Sequence, residues 1–185
     1  MSLRIEKKQA TAGRILAVSR ELFLQQGYGK TSVEEIAAAA GISRASLFNY
    51  YRGKPAILQA LAASLEDRLT RLVGHYAERA PDSLAALEQL FAYAARVLDQ
   101  TSGLTRLLLL EGDAELPRLQ AAFTRLLEAG QRAGEVSTDF PARMLSETVY
   151  LTFLAGLLNW CREPDSELEV QFADRVRLLK ALLEA

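Results

Sequence analysis

The sequence predicts an all-α fold of about nine helices: an N-terminal three-helix helix-turn-helix domain followed by a larger C-terminal helical domain. Three observations predict it. Apolar residues recur at i, i+3, i+4 and i+7 almost throughout, with no β-branched alternation. Glycine and proline interrupt that pattern at helix-length intervals. The nineteen residues from Val33 to Tyr51 hold two short helical patterns around Gly41, the layout of a helix-turn-helix.

A first helix is expected from about Ala10 to Gln26, with Ile15, Val18, Leu22 and Phe23 as its buried stripe and Gly27 as its stop. Thr31 and Ser32 both suit an N-cap. Glu34 and Glu35 stand three residues after each, which allows two overlapping capping boxes. Val33, Ile36 and Ala40 share one face, and Ala37 offers little bulk where a second helix must approach. Gly41 can take the positive φ that ends a helix sharply. Ser43 then caps the next helix, whose Leu47 and Tyr51 point inward at i, i+4 spacing. Arg44, Ala45, Ser46, Asn49 and Tyr50 are left facing outward. Small residues, an amide and an aromatic make a face able to enter a major groove.

Gly53-Lys54-Pro55 breaks the chain and opens a long helix to about Arg79, with Pro55 in the first turn where its missing N–H is harmless. Ile57, Leu58, Leu61, Leu65, Leu69 and Leu72 are its inward residues. Further helices are expected at about Leu84–Asp99, Leu104–Leu110, Leu119–Ala133, Pro141–Cys161 and Glu167–Leu183, with an acidic bend between Gly112 and Pro117. The domain boundary falls between residues 55 and 56, giving a head of residues 1–55 and a body of 56–185.

Composition narrows the function. The net charge is −1, but it is unevenly spread. Through Pro55 there are nine Lys and Arg against four Asp and Glu, whereas the remainder has thirteen against nineteen. A basic head on an acidic body suits a chain of which one part faces phosphate. A lone cysteine, Cys161, excludes an internal disulfide and fits a reducing compartment. No apolar run approaches the ~20 residues that span a bilayer, so the expected location is the cytoplasm, with no membrane partner.

These residues carry a family resemblance. Arg14-Ile15-Leu16, Leu22-Phe23, Gly27-Tyr28, Thr31-Ser32-Val33, Ile36-Ala37, Ala40-Gly41-Ile42-Ser43, Leu47-Phe48, Tyr50-Tyr51 and Lys54 resemble the signature of the tetracycline-repressor (TetR) family of bacterial transcriptional regulators. The motif spans roughly residues 10 to 60. Beyond it the likeness rests on length and helical organisation. The resemblance implies a homodimer that binds a palindromic double-stranded DNA operator, usually as a repressor, and is released by a small molecule held in the C-terminal domain. Three departures stand out: Phe48 replaces a Tyr, Gly53 a Ser or Asn that would cap the next helix, and Pro55 the Glu that usually follows the lysine.

The expected DNA-binding residues are Thr31, Ser32, Ser43, Arg44, Ala45, Ser46, Asn49, Tyr50 and Lys54. Lys54 stands at a helix start, where its ammonium and the backbone N–H groups can meet a phosphate together. Arg44 fits either a guanine edge or the DNA backbone, and Asn49 fits adenine. Arg4, Lys7 and Lys8 are expected to form an arm that is disordered off DNA.

In the body, Ser146, Val149, Phe153, Gly156 and Trp160 form one helical stripe. With Leu168, Phe172 and Leu179 it is read as a four-helix dimer interface, or alternatively as packing within one subunit. An effector cavity, partly apolar, is expected from Leu65, Leu69, Leu72, Leu98 and Leu107 with Phe123, Leu127, Tyr150 and Leu154. His75 and Tyr76 are its polar handles, joined by Tyr93, Arg106 and Asn159. Each apolar residue is equally readable as ordinary core.

No cofactor or metal is expected. One histidine, His75, and one cysteine leave no Cys/His ligand set. No nucleophile–base pair or phosphate-binding glycine loop is present. Glu111, Asp113 and Glu115 form an acidic bend that is solvated or attracts a cation. The chain is not expected to be an enzyme. The alternative function is a helical small-molecule or partner-binding module whose helix-turn-helix no longer reads DNA specifically.

Overall fold

The computed structural model describes residues 3–112, 115–163 and 166–184, and every regular element among them is an α-helix. In order these are α1 (Leu3–Gln26), α2 (Val33–Ala39), α3 (Arg44–Phe48), α4 (Lys54–Arg79), α5 (Ser83–Gln100), α6 (Ser102–Glu111), α7 (Pro117–Ala133), α8 (Ala142–Arg162) and α9 (Leu168–Leu183). Two compact units result, Met1–Ser64 with Gly103–Ala114 and Leu65–Ser102 with Glu115–Ala185. The division therefore runs through α4 and assigns most of α6 to the first unit, whereas the sequence reading divided the chain at residue 55.

In the first unit, Ile15 and Phe23 of α1 are buried with Ile36, Ala37 and Ala40, Leu47 of α3, and Ile57, Leu58 and Leu61 of α4. Gly27 ends α1 with φ 91. α1 begins seven residues earlier than its apolar stripe suggested, at Leu3. Its added turns contain neither glycine nor proline, and strong helix formers extend a helix without any core contact. The basic residues expected as a disordered arm, Arg4, Lys7 and Lys8, accordingly lie in α1, with Lys7 and Lys8 exposed.

Of the two possible capping boxes, the one at Ser32 forms. Ser32 N–H donates to Glu35 Oε2 (2.7 Å), and Glu35 N–H donates to Ser32 Oγ (3.2 Å). Gly41, with φ 67, turns the chain sharply enough for Ser43 to cap α3 by accepting from Ser46 N–H (3.1 Å). Gly53 is also in the positive-φ region, at φ 113. A serine or asparagine there would be strained, so glycine suits the entry to α4 better than a capping side chain does.

The second unit is built on close packing of α7 with α8, α5 with α9 and α8 with α9. Its centre is aromatic. Phe91, Phe153 and Phe172 meet with ring centres 4.9–5.2 Å apart, and Phe123 reaches Phe153 at 6.3 Å. Gly156 lets α8 approach α9, since a Cβ there would lie 2.5 Å from Phe172 Cε1.

α7 has no side-chain cap of its own, and its first residue is Pro117. Other helices supply the missing partners. Tyr150 Oη of α8 accepts from Leu116 N–H (2.9 Å), and the buried Glu66 of α4 accepts from Arg118 N–H (2.6 Å) and Arg118 Nε (2.8 Å). Burial, above all, raises the Tyr150 pKa, so this hydroxyl stays protonated. Asp67 pairs with Arg118 as well.

Candidate functional site

α3 presents Arg44, Ala45, Phe48 and Asn49 to solvent, with Ser46 and Tyr50 half-buried. The outward set expected on this helix is therefore brought onto one exposed surface, and Phe48 joins it at 42% exposure. Arg44 Nε lies 3.0 Å from Glu34 Oε1 of α2, and its guanidinium carbon is 5.6 Å from the Phe48 ring centre. Exposed pairs of this kind are worth ~0–1 kcal/mol, so Arg44 can exchange Glu34 for another acceptor at small cost. The Ser43 hydroxyl is taken by the α3 cap and by Ser46 Oγ (2.9 Å). The Asn49 amide makes no hydrogen bond within the described residues.

Three other residues expected to face DNA are engaged internally. Thr31 is 2% exposed, and its hydroxyl donates to Gly27 O (2.9 Å). It closes the turn after α1 instead of offering a group outward. Ser32 donates its hydroxyl to Glu35 Oε2 (2.7 Å), and its backbone N–H is the main reason the Glu35 carboxyl is held below its ordinary pKa. Lys54 donates to Tyr28 O (2.6 Å) and Gly29 O (3.3 Å), with Nζ 4.7 Å from the Tyr28 ring centre. Its ammonium, read as a phosphate ligand, is bound to the turn between α1 and α2.

The second unit contains an open groove of about 380 Å³ between α4 and α5. Six of the expected effector residues line it: Leu65, Leu69, Leu72, His75, Tyr76 and Leu98, with Tyr93 beside them. Phe123 and Leu127 do not. Both are fully buried on the inward face of α7, where an amphipathic stripe packs as core. Tyr150 is committed to Leu116, Leu154 is half-buried outside the groove, and Leu107 lies on α6 in the first unit. Arg68, Arg71 and Val97, not expected from the sequence, also line the groove. Arg68 stands one turn after Leu65 and Arg71 next to Leu72, so spacing places both arginines along the edge of that leucine stripe.

The expected dimer residues are corrected as a group. Ser146, Val149, Phe153, Gly156, Trp160, Leu168, Phe172 and Leu179 are all buried within the single chain. Ser146 Oγ bonds to Thr124 Oγ1 (2.7 Å) and Arg143 O (2.8 Å), and Phe172 fills the space left by Gly156. The stripe is the α5–α7–α8–α9 core. The faces of α8 and α9 that remain exposed carry other apolar residues: Met144 and Leu151, and Val170, Leu178 and Leu182.

Among the described residues no group of His, Cys, Asp and Glu is arranged to hold a metal, and no helix is long and apolar enough to cross a membrane. Asp113 of the acidic bend lies outside the described residues.

A capped pair of short helices exposing the second, on an otherwise all-helical chain, defines a helix-turn-helix DNA-binding protein. Residues 15–61 match the family model of bacterial regulatory proteins of the tetR family. The regulator AcrR of Shigella flexneri is 27% identical over 94% of this chain and 89% of its own. Among solved structures, the TetR-family repressor FadR of Thermus thermophilus, in complex with lauroyl-CoA, is 26% identical with a TM-score of 0.70 over 91% of this chain and 92% of that one. SmeT, the repressor of a Stenotrophomonas maltophilia multidrug efflux pump, shares the fold at a TM-score of 0.79 and 16% identity, covering 94% of this chain and 90% of that one. Residues 15–61 thus carry a tetR-family helix-turn-helix, and the chain is a helix-turn-helix transcriptional regulator similar to these proteins.

Proposed function

We propose that this regulator is a cytoplasmic, homodimeric repressor that binds a palindromic DNA operator and releases it when a small, partly apolar molecule occupies the α4–α5 groove. The observation that carries the DNA reading is the outward face of α3, where Asn49 has an uncommitted amide and Arg44 holds only an exposed ion pair. Asn49 is the residue suited to pair with adenine, and Arg44 to reach guanine or a phosphate. Ala45, Ser46 and Tyr50 provide close approach and backbone contact. Two copies related by a two-fold axis would set α3 of each in successive major grooves on one face of the duplex.

The apolar faces exposed on α8 and α9 supply the surface for that pairing, with Leu151 61% and Leu178 68% exposed. α4 begins in the first unit and ends in the second, so a ligand seated against its second half acts on the helix that carries the head. The lauroyl-CoA held by the Thermus FadR supports a small-molecule effector.

Selection of sites from a random duplex library at moderate salt, followed by anisotropy, tests the proposal. Enrichment of one inverted repeat is the expected result. Weak, sequence-blind binding would overturn it and favour a helical module that no longer reads DNA. Lys54 tied to Tyr28 is the observation on that side.

A further inference from the structure

The α4–α5 groove has a floor and an edge of different chemistry. Leu69 and Leu98 are nearly fully buried and form the apolar floor. Arg68, Arg71 and His75 fall at i, i+3 and i+7 on α4, so they stand together along one edge of its groove-facing stripe. Among the described residues no carboxylate lines the groove. The acidic side chains flanking this stretch of α4 are already engaged: Glu66 and Asp67 with Arg118, and Glu78 with Arg79. Neither Arg68 nor Arg71 has an ion pair or hydrogen bond within the described residues. Arg68 and Arg71 are exposed, and two guanidinium groups without a protein partner beside an apolar trough suit a ligand with an anionic head and an apolar tail.

We infer that the groove binds an anionic amphiphile, with its carboxylate or phosphate on Arg68 and Arg71 and its alkyl part on Leu69, Leu72 and Leu98. The inference rests on the reading of this groove as the effector site, and it adds the chemical class. Guanidinium presents forked donors that match both carboxylate and phosphate. The volume of about 380 Å³ lies at the lower end of the ~300–1,000 Å³ of small-molecule sites, enough for a medium alkyl chain. Tyr76 and Tyr93, with ring centres 6.2 Å apart, place two phenols at the same groove for further hydrogen bonds to the head group.

Calorimetric titration of the full chain with decanoate, decyl phosphate and neutral 1-decanol tests this without DNA. The expected result is that at least one anion binds about tenfold or more tightly than the alcohol, and that the double variant Arg68→Gln/Arg71→Gln removes the preference while leaving the weak decanol affinity in place. A preference for decanoate over decyl phosphate, or the reverse, identifies the head group. Equal affinity for anion and alcohol, no binding of either anion, or an anion affinity unchanged in the double variant would overturn the inference. Because the readout is direct binding, its failure is separable from failure of the DNA reading, which site selection alone decides.

Discussion

The Lys54 ammonium donates to the carbonyl oxygen of Tyr28 at 2.6 Å and lies 4.7 Å from the centre of the Tyr28 ring. That contact joins the first residue of α4 to the turn leading into α2, and so sets where α2 and α3 stand relative to the helix that follows them. A lysine recruited only to a phosphate would have no need of these acceptors. Lys54→Ala is expected to lower head stability by about 1 kcal/mol and to weaken binding to all DNA sequences alike. The check is a thermal melt beside a plot of log affinity against log salt. A fall in melting temperature with an unchanged salt slope supports the tether. An unchanged melt with a slope smaller by about one supports a phosphate contact instead.

Asn49 is the opposite case, since it is exposed at the end of α3 with its amide unused. Asn49→Ala removes nothing that holds the fold. The expected outcome is an unchanged melt and a loss of ~1–3 kcal/mol of discrimination at one base position. Repeating site selection with the variant reads it. A uniform loss across all sequences would reassign Asn49 to the DNA backbone.

Glu35 provides a pH-dependent prediction. The Ser32 backbone N–H, then the Ser32 hydroxyl, hold its carboxyl below the ordinary value of 4.5. A carboxylate favoured in the folded state contributes stability that is fully present above the unfolded pKa and is lost as pH falls through the lower folded value. The wild type should therefore melt above Glu35→Gln at neutral pH, and the two curves should converge in the acid range below 4.5. Parallel curves down to that range would mean that the capping box contributes nothing to stability.

Local chemistry in this chain was legible, and partnership was not. Ser32, Gly41 and Ser43 act as their residue types and spacings dictate, because a cap or a turn is closed within four residues. An apolar stripe announces only that it will be buried. Val149, Phe153 and Trp160 look the same whether α8 packs on its own α9 or on a second copy, and Phe172 against Gly156 decides for the former. The same limit applied to Lys54. Its acceptors are 25 and 26 residues earlier in the chain, and nothing in its neighbourhood names them. Glu66 is the clearest example of a long-range role, since it caps a helix 52 residues away that begins with no cap of its own.

If the exposed faces of α8 and α9 form the proposed dimer surface, two substitutions on one helix behave oppositely. Leu151 is 61% exposed on α8, whereas Gly156, one and a half turns on, is buried against Phe172. A Cβ at Gly156 would stand 2.5 Å from Phe172 Cε1, so Gly156→Ala overpacks the α8–α9 contact and should cost about 1–3 kcal/mol. It should lower the melting temperature while the folded protein still associates. Leu151→Glu with Leu178→Glu puts charge on two residues that have little to lose within the subunit. Helicity should be retained, and light scattering should report a monomer. Operator affinity should fall steeply, because each head would then bind a half-site alone. If the double variant stays dimeric, these faces are not the interface. If it unfolds although Leu151→Ser with Leu178→Ser does not, the charge rather than the lost association is responsible, and the serine variant then reads the interface.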